Sequence, residues 1–295
     1  MEPHSYIGGQ AVIEGVMMRN GNRVAVAVRK SDRTIHVDTE ERVPWTNRAL
    51  LHLPILRGSA ILFESLVTGI RALNRSSAVS ADEEEEELTG WQLAGTLLFS
   101  LAFAAGMFLL LPLYAAEWLT GHADGAMFAV MEGVIRLGLF LAYILLIARL
   151  DEIKRVFQYH GAEHKTINCY EAGQELSVAN VRRHTMIHKR CGTSFLLFVM
   201  VISIVAFSFL SGPGMAQWER LLYRLLLMPV VAGLSYELIR YSGGTDNRFV
   251  TWLVSPGMLL QRLTTREPDD EMIEVAIASV QAVVEDGKLE EVRAV

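Results

Sequence analysis

The sequence predicts an α-helical integral membrane protein with about four transmembrane helices. To these it adds a cytoplasmic helical hairpin, a small N-terminal antiparallel β element and an amphipathic interfacial helix. Three observations carry that prediction. Hydrophobic residues make up 51% of the 295, and the mean hydropathy is +0.28, both high for a soluble globular protein. Four stretches, at about 93–113, 127–148, 193–210 and 221–239, reach the roughly 20 mostly apolar residues that a bilayer crossing requires. Lys and Arg crowd the segments on one side of these stretches and are scarce on the other.

Residues 1–46 read as the β element. Ala11-Val12-Ile13 and Val16-Met17-Met18 flank Glu14-Gly15, and Val24, Val26 and Val28 alternate with small residues. Asn20-Gly21 and Ser31-Asp32 are turn signals, and Thr34-Ile35-His36-Val37 forms the return strand. Such a sheet is too small to stand alone and has to pack on something else. Residues 47–75 change to a helical period, with Leu50, Ile55, Leu62, Leu66 and Leu73 among its apolar positions. Arg57, Glu64 and Arg71 are spaced seven apart and share one stripe. Two placements stay open for this helix: in the bilayer interface, or buried against the membrane bundle.

Residues 76–92 form a linker around Asp82 to Glu87, a run of six acids that suits a solvated segment. The formal net charge of -6 gives no support for nucleic-acid binding. Spans one and two occupy 93–148; the second contains Glu132 and Arg136, four apart and able to pair. Spans three and four occupy 193–239; the fourth carries Arg224 near one end and Pro229 inside. The segment at 240–295 begins with an apolar stretch at 249–263, interrupted at Pro256-Gly257, that is too short to cross and suits the interface. Pro268-Asp269-Asp270-Glu271 then starts a helix with acids in its first turn. Its narrow apolar face, Met272, Val275, Ala276, Ser279, Val280 and Val283, is suited to docking on the cytoplasmic part.

Orientation follows from the cations. The segment from Arg19 to Arg75 is Arg-rich, and the loop at 114–125 has no Lys or Arg. The next loop carries Lys154, Arg155, Lys165, Arg182, Arg183, Lys189 and Arg190, and the one after it only Arg220. This places both termini and the loop at 149–192 in the cytoplasm. The first residues lack the apolar core of a signal peptide. In a reducing cytoplasm, Cys169 and Cys191 are expected as thiols.

The chemistry concentrates at 149–192. Four of the chain's eight histidines lie here, as His160-Gly161-Ala162-Glu163-His164 and as His184 to His188, with Cys191 following. A spacing of four puts both imidazoles of a pair on one helix face. Imidazole and thiolate are the usual ligands of zinc and related divalent metals. His160 to His164 also matches His-x-x-Glu-His, in which two His bind zinc and the Glu acts as general base. His184, His188 and Cys191, spaced four and three, share a face if helical. Cys169 and Glu171 fall off the first face.

The second span is expected to run on as a helix to about Cys169 and end at Gly173. A return helix from Ser177 or Asn180 into the third span would then bring the two pairs face to face at similar heights. The expected ligands are His160, His164, His184, His188 and Cys191, with a divalent metal, zinc, and Glu163 as base. Glu237 is a further carboxylate candidate, or else a solvated helix-end residue. Two other readings stay open: histidines that contact lipid phosphates, and a structural zinc, since four protein ligands close a site whereas catalysis needs an open position.

At Tyr159 to Lys165, and at Arg183 through Cys191 and Gly192, the chain resembles the YqhQ-like family of bacterial membrane proteins of unknown function. Gly8 to Arg19 is similar to that family's opening segment, and Leu263 to Pro268 to its closing one. The family is described as predicted metal-dependent enzymes. The resemblance implies the metal and the bacterial inner membrane, leaves the reaction open, and adds Gln10, Glu14 and Arg19 as possible site members, or else turn and strand packing. The leading expectation is metal-assisted hydrolysis of a membrane-proximal substrate, a lipid headgroup or a peptide. The alternative is a non-catalytic accessory factor in membrane-protein insertion or assembly, partnered by membrane proteins or the insertion machinery and held by a structural metal. A metal transporter ranks third: no ionisable path crosses the spans, and no internal repeat is evident.

Overall fold

The computed structural model describes residues 7–43, 53–81, 89–121, 126–210, 215–245 and 247–284. The first part is a four-stranded antiparallel sheet in simple order: β1 (Gly8–Val12), β2 (Gly15–Asn20), β3 (Arg23–Arg29) and β4 (Ile35–Glu41). Its turns need left-handed backbone, at Glu14 (φ 50°), Gly21 (φ 58°) and Arg33 (φ 71°). In the last turn, Asp32 accepts from the Thr34 amide at 2.9 Å and from its hydroxyl at 2.6 Å.

Both faces of the sheet are covered, which is why β2 is apolar without strict alternation. Val16, Met18, Ala25 and Ala27 join one core with α5 (Asp151–Glu171) and α10 (Asp270–Val284). Val12, Met17 and Val24 turn the other way and pack with Ala72 of α1 (Pro54–Ser80). The small residues of β3 therefore let α10 lie close, and Ser279 Oγ donates to the Ala25 carbonyl at 3.2 Å. Asp269 caps α10 by accepting from the Met272 amide at 2.8 Å.

Helix α1 has 27 residues and so spans ~40 Å. One end packs against α8 (Gln217–Gly243), where a Cβ on Gly58 would lie 2.9 Å from Gly233 Cα. Arg57 there holds both oxygens of Glu237 at 2.7 Å, and Ser59 Oγ donates to the Pro229 carbonyl at 2.6 Å. The other end runs under the sheet, tied by Arg19–Glu64 at 2.6 Å and Arg75–Asp38 at 2.9 Å. Helix α1 packs against α8 at its Gly58 end and leaves Leu56, Phe63 and Leu66 exposed. The start of the expected helix, 47–52, and the acidic run lie outside the described residues.

Among the described residues, four helices are long and apolar enough to cross a membrane: Gly90–Thr120, Met127–Ile147, Gly192–Phe209 and Trp218–Gly243. The first is α2 (Gly90–Ala105), one π turn at Gly106–Leu110 and α3 (Leu111–Thr120). Thr89 and Gln92 form a capping box at its start, and Gly121, at φ 62°, ends it. The others are α4 (Ala126–Ile147), α7 (Gly192–Leu210) and α8. Glu132 and Arg136 do pair, and Arg224 of α8 joins them.

Three expectations need correction. The second span does not run on as one helix: a turn at 148–150 separates α4 from α5, and Arg266 Nη2 donates to the Ala148 carbonyl it frees, at 3.2 Å. The return helix is only α6 (Val178–Arg182), and 183–191 is an irregular loop leading into α7. Pro256 does not break the apolar stretch, because α9 (Arg248–Thr264) continues through it. A proline leaves the carbonyl four residues earlier without a donor. Here Ser255 Oγ supplies one to the Trp252 carbonyl at 2.8 Å.

Candidate metal centre

The middle of α5 is buried from Gly161 to Ile167, so His164 is enclosed, while His160, just before this stretch, is half-buried. The His160 and His164 rings have centroids 4.4 Å apart. Each is anchored by its outer nitrogen. His160 Nδ1 donates to the Thr264 carbonyl at 2.8 Å, and His164 Nδ1 to the Met186 carbonyl at 2.5 Å. That bonding selects the tautomer whose Nε2 carries a lone pair, the form that binds metals.

Cys191 completes the group from the loop. Its Sγ lies 3.3 Å from His160 Nε2. One ligand atom from each of His160, His164 and Cys191 falls within 4.8 Å of the other two. The thiol sits just before the first turn of α7, and the Thr193 amide points at the sulfur from 3.4 Å. Burial pulls the His164 pKa down, which keeps the imidazole neutral. Burial also pushes the Glu163 carboxyl up to about 7, partly offset by the charge of His160.

The loop is held by a residue that sequence reasoning passed over. Gln261 of α9, fully buried, accepts from the His188 amide at 2.9 Å and donates to its carbonyl at 2.8 Å and to Ser194 Oγ at 2.9 Å. Asn168 of α5 donates to the Thr185 carbonyl at 2.8 Å and the Ile187 carbonyl at 3.2 Å. Gly161 lets the segment after α9 close in: a Cβ there would lie 2.1 Å from the Arg266 carbonyl. A lone amide side chain in the apolar run at 249–263 was the available signal for Gln261. The carbonyls of Met186 and Thr264 leave no trace in residue type.

The other expected residues fall elsewhere. His188 is buried near the group, its ring 5.7 Å from that of His164, but its Nε2 lies 3.5 Å from Glu171 Oε2. Burial raises the Glu171 pKa, and the bonds and charges of His188 and Arg190 outweigh it and bring it below the usual range. His184 turns to Gln174 Oε1 at 3.1 Å and does not join the three. The reason is the loop: outside a helix, a spacing of four no longer aligns side chains. Cys169 is buried in the sheet core, and Glu237 is taken by Arg57. Glu163 is buried toward the sheet, where a Cβ on Gly9 would meet its Oε1 at 2.8 Å. Arg19 binds Glu64, Gln10 packs on Gly69, and Glu14 binds Arg155 and accepts from Tyr159 Oη at 3.2 Å. These three tie the sheet to its helices.

Fold and site together define a helical membrane protein with a largely buried His/His/Cys cluster, His160 being half-buried, beside its apolar helices. The chain belongs to the family described as protein of unknown function (DUF1385), which matches residues 53–286. It is 36% identical over 297 residues to the uncharacterized protein YqhQ of Bacillus subtilis (strain 168), an alignment covering 94% of this chain and 91% of that protein. No solved structure matches the chain.

Proposed function

We propose that the protein is a metal-dependent hydrolase of the bacterial inner membrane, acting from the cytoplasmic side on a substrate at the membrane surface. The observation that carries this reading is the convergence of the His160, His164 and Cys191 donors, with both outer ring nitrogens anchored by backbone carbonyls. Two imidazoles and a thiolate are a zinc donor set, and three protein ligands rather than four leave a position open. A divalent ion bound there supplies Lewis acidity and lowers the pKa of a water it binds.

The chain's own residues supply the rest. Thr264 and Met186 fix the imidazole planes, and Gln261 fixes the loop that delivers Cys191. Glu163, one residue from His164 and within reach of the His160 charge, is the general base of this reading; its carboxyl lies against Gly9 of β1 and would have to turn toward the cluster to take a proton from the attacking water. The crowding of Lys and Arg in the segments flanking the cluster supports its cytoplasmic orientation.

Glu163→Gln tests this reading, because it keeps shape and ligands while removing the proton acceptor. Expected is normal accumulation, normal zinc content by elemental analysis and failure to complement a deletion strain, from a rate loss of roughly 10²–10⁴-fold. Full complementation would overturn catalysis and leave a structural metal in an accessory factor.

A further inference from the structure

The end of α4 and the end of α9 enclose a cavity of about 330 Å³ lined by Leu145, Ala148, Arg149, Arg262, Leu263, Thr265 and Arg266. We propose that this cavity binds the phosphate of an anionic phospholipid. The inference stands apart from the metal reading and needs no ion.

Three arginines line the cavity, and among the described residues no acidic one does. Among the described residues, Arg149 and Arg262 form no ion pair, and Arg266 is held through its Nη2 to the Ala148 carbonyl at 3.2 Å. Asp151, two residues past Arg149, is engaged by Lys154 Nζ at 2.6 Å. Three like charges gathered around one space repel each other until an anion enters. The planar guanidinium fork matches phosphate oxygens in pairs.

Position selects a lipid over free phosphate. Leu145, Ala148 and Arg149 lie where the apolar helix Met127–Ile147 ends, the level at which headgroups begin. On α9, exposed Trp252 and Leu259 are seven residues apart, and Arg262 is less than a turn further on. That face offers an apolar track leading to a cation, as an acyl chain and its phosphate require. Leu146 beside the cavity is 64% exposed and extends the apolar side.

The test uses the purified full chain in detergent, with bound lipid counted by native mass spectrometry. It is titrated with dioleoylphosphatidylglycerol, with dioleoylphosphatidylcholine and with inorganic phosphate. Wild type is expected to bind phosphatidylglycerol in preference to phosphatidylcholine, with inorganic phosphate a weak competitor. Each arginine near an anionic headgroup is worth about fivefold, so Arg149→Gln with Arg262→Gln should weaken phosphatidylglycerol binding about 25-fold. The paired Lys replacements keep charge, lose the fork and should fall between. Unchanged binding by the Gln pair, or no preference for phosphatidylglycerol in wild type, overturns the proposal. Inorganic phosphate that binds as tightly as the lipid overturns the lipid assignment. Zinc content measured on the same samples reads the His/His/Cys group separately, so failure of one reading leaves the other standing.

Discussion

Within the helical bundle, Glu132 accepts from Arg224 at 2.7 and 2.5 Å and also from Arg136. Arg136 spends its remaining donors on the Phe108 carbonyl at 2.8 Å and on Ser203 Oγ at 3.3 Å, and both guanidinium groups lie over the Phe207 ring. The Phe108 carbonyl sits in the π turn, where the regular helix bonding is interrupted. The His160, His164 and Cys191 cluster is built differently. Its outer nitrogens are anchored, but inside it two imidazole lone pairs face one thiol, which has a single proton to give. The comparison teaches that the first cluster pairs acid with base and clamps helices, whereas the second gathers imidazole and thiol donors of the kind that bind metals.

The comparison breaks most visibly at Glu132. Glu132→Leu leaves two arginines among apolar helices without their anion, a loss of about 3–5 kcal/mol. Thermal unfolding of the solubilised protein should show it, and wild-type stability in this variant would mean that the cluster does not hold the bundle. Cys191→Ser and His160→Ala act on the other side. Each should remove most of the zinc found by elemental analysis while leaving the helical circular dichroism signal in place. Full zinc content in both would show that these groups are not the ligands. The smallest effect is expected from His184→Ala. Zinc content should be unchanged and stability should move by no more than about 0.5 kcal/mol, as for a surface position. A clear loss of zinc there would return the second histidine pair to the site.

The strands, the four apolar helices and the docking face of α10 were legible because each rests on a local period of apolar residues. The pair His160 and His164 was legible for the same reason, since it lies on a helix whose own period aligns it. His184 and His188 carry the same spacing but lie in a loop, and the loop is held by Gln261 and Asn168, more than fifteen residues away in the chain. Residue type gives no hint of that. Likewise α1 read equally well at an interface or against the bundle, because an apolar face does not name what covers it. Gly58 and Gly233, lying against each other, show only that one side of α1 is covered by α8.

By itself, then, the sequence determined the strands, the membrane-length apolar runs and the helices with a clear apolar period, but not the break at 148–150 or the loop at 183–191, and it determined which residue types are able to bind a metal. Periodicity and ligand chemistry are local properties, written in consecutive residues. Only the tertiary structure decided which of those donors meet. Cys191 reaches His160 because α9 crosses α7 at Gly257 and places Gln261 against the 183–191 loop. The Thr264 carbonyl reaches His160 because Gly161 leaves room for the chain that follows α9. Such meetings depend on side-chain volumes and backbone approaches between elements far apart in the chain, and those distances exist only once the helices have packed.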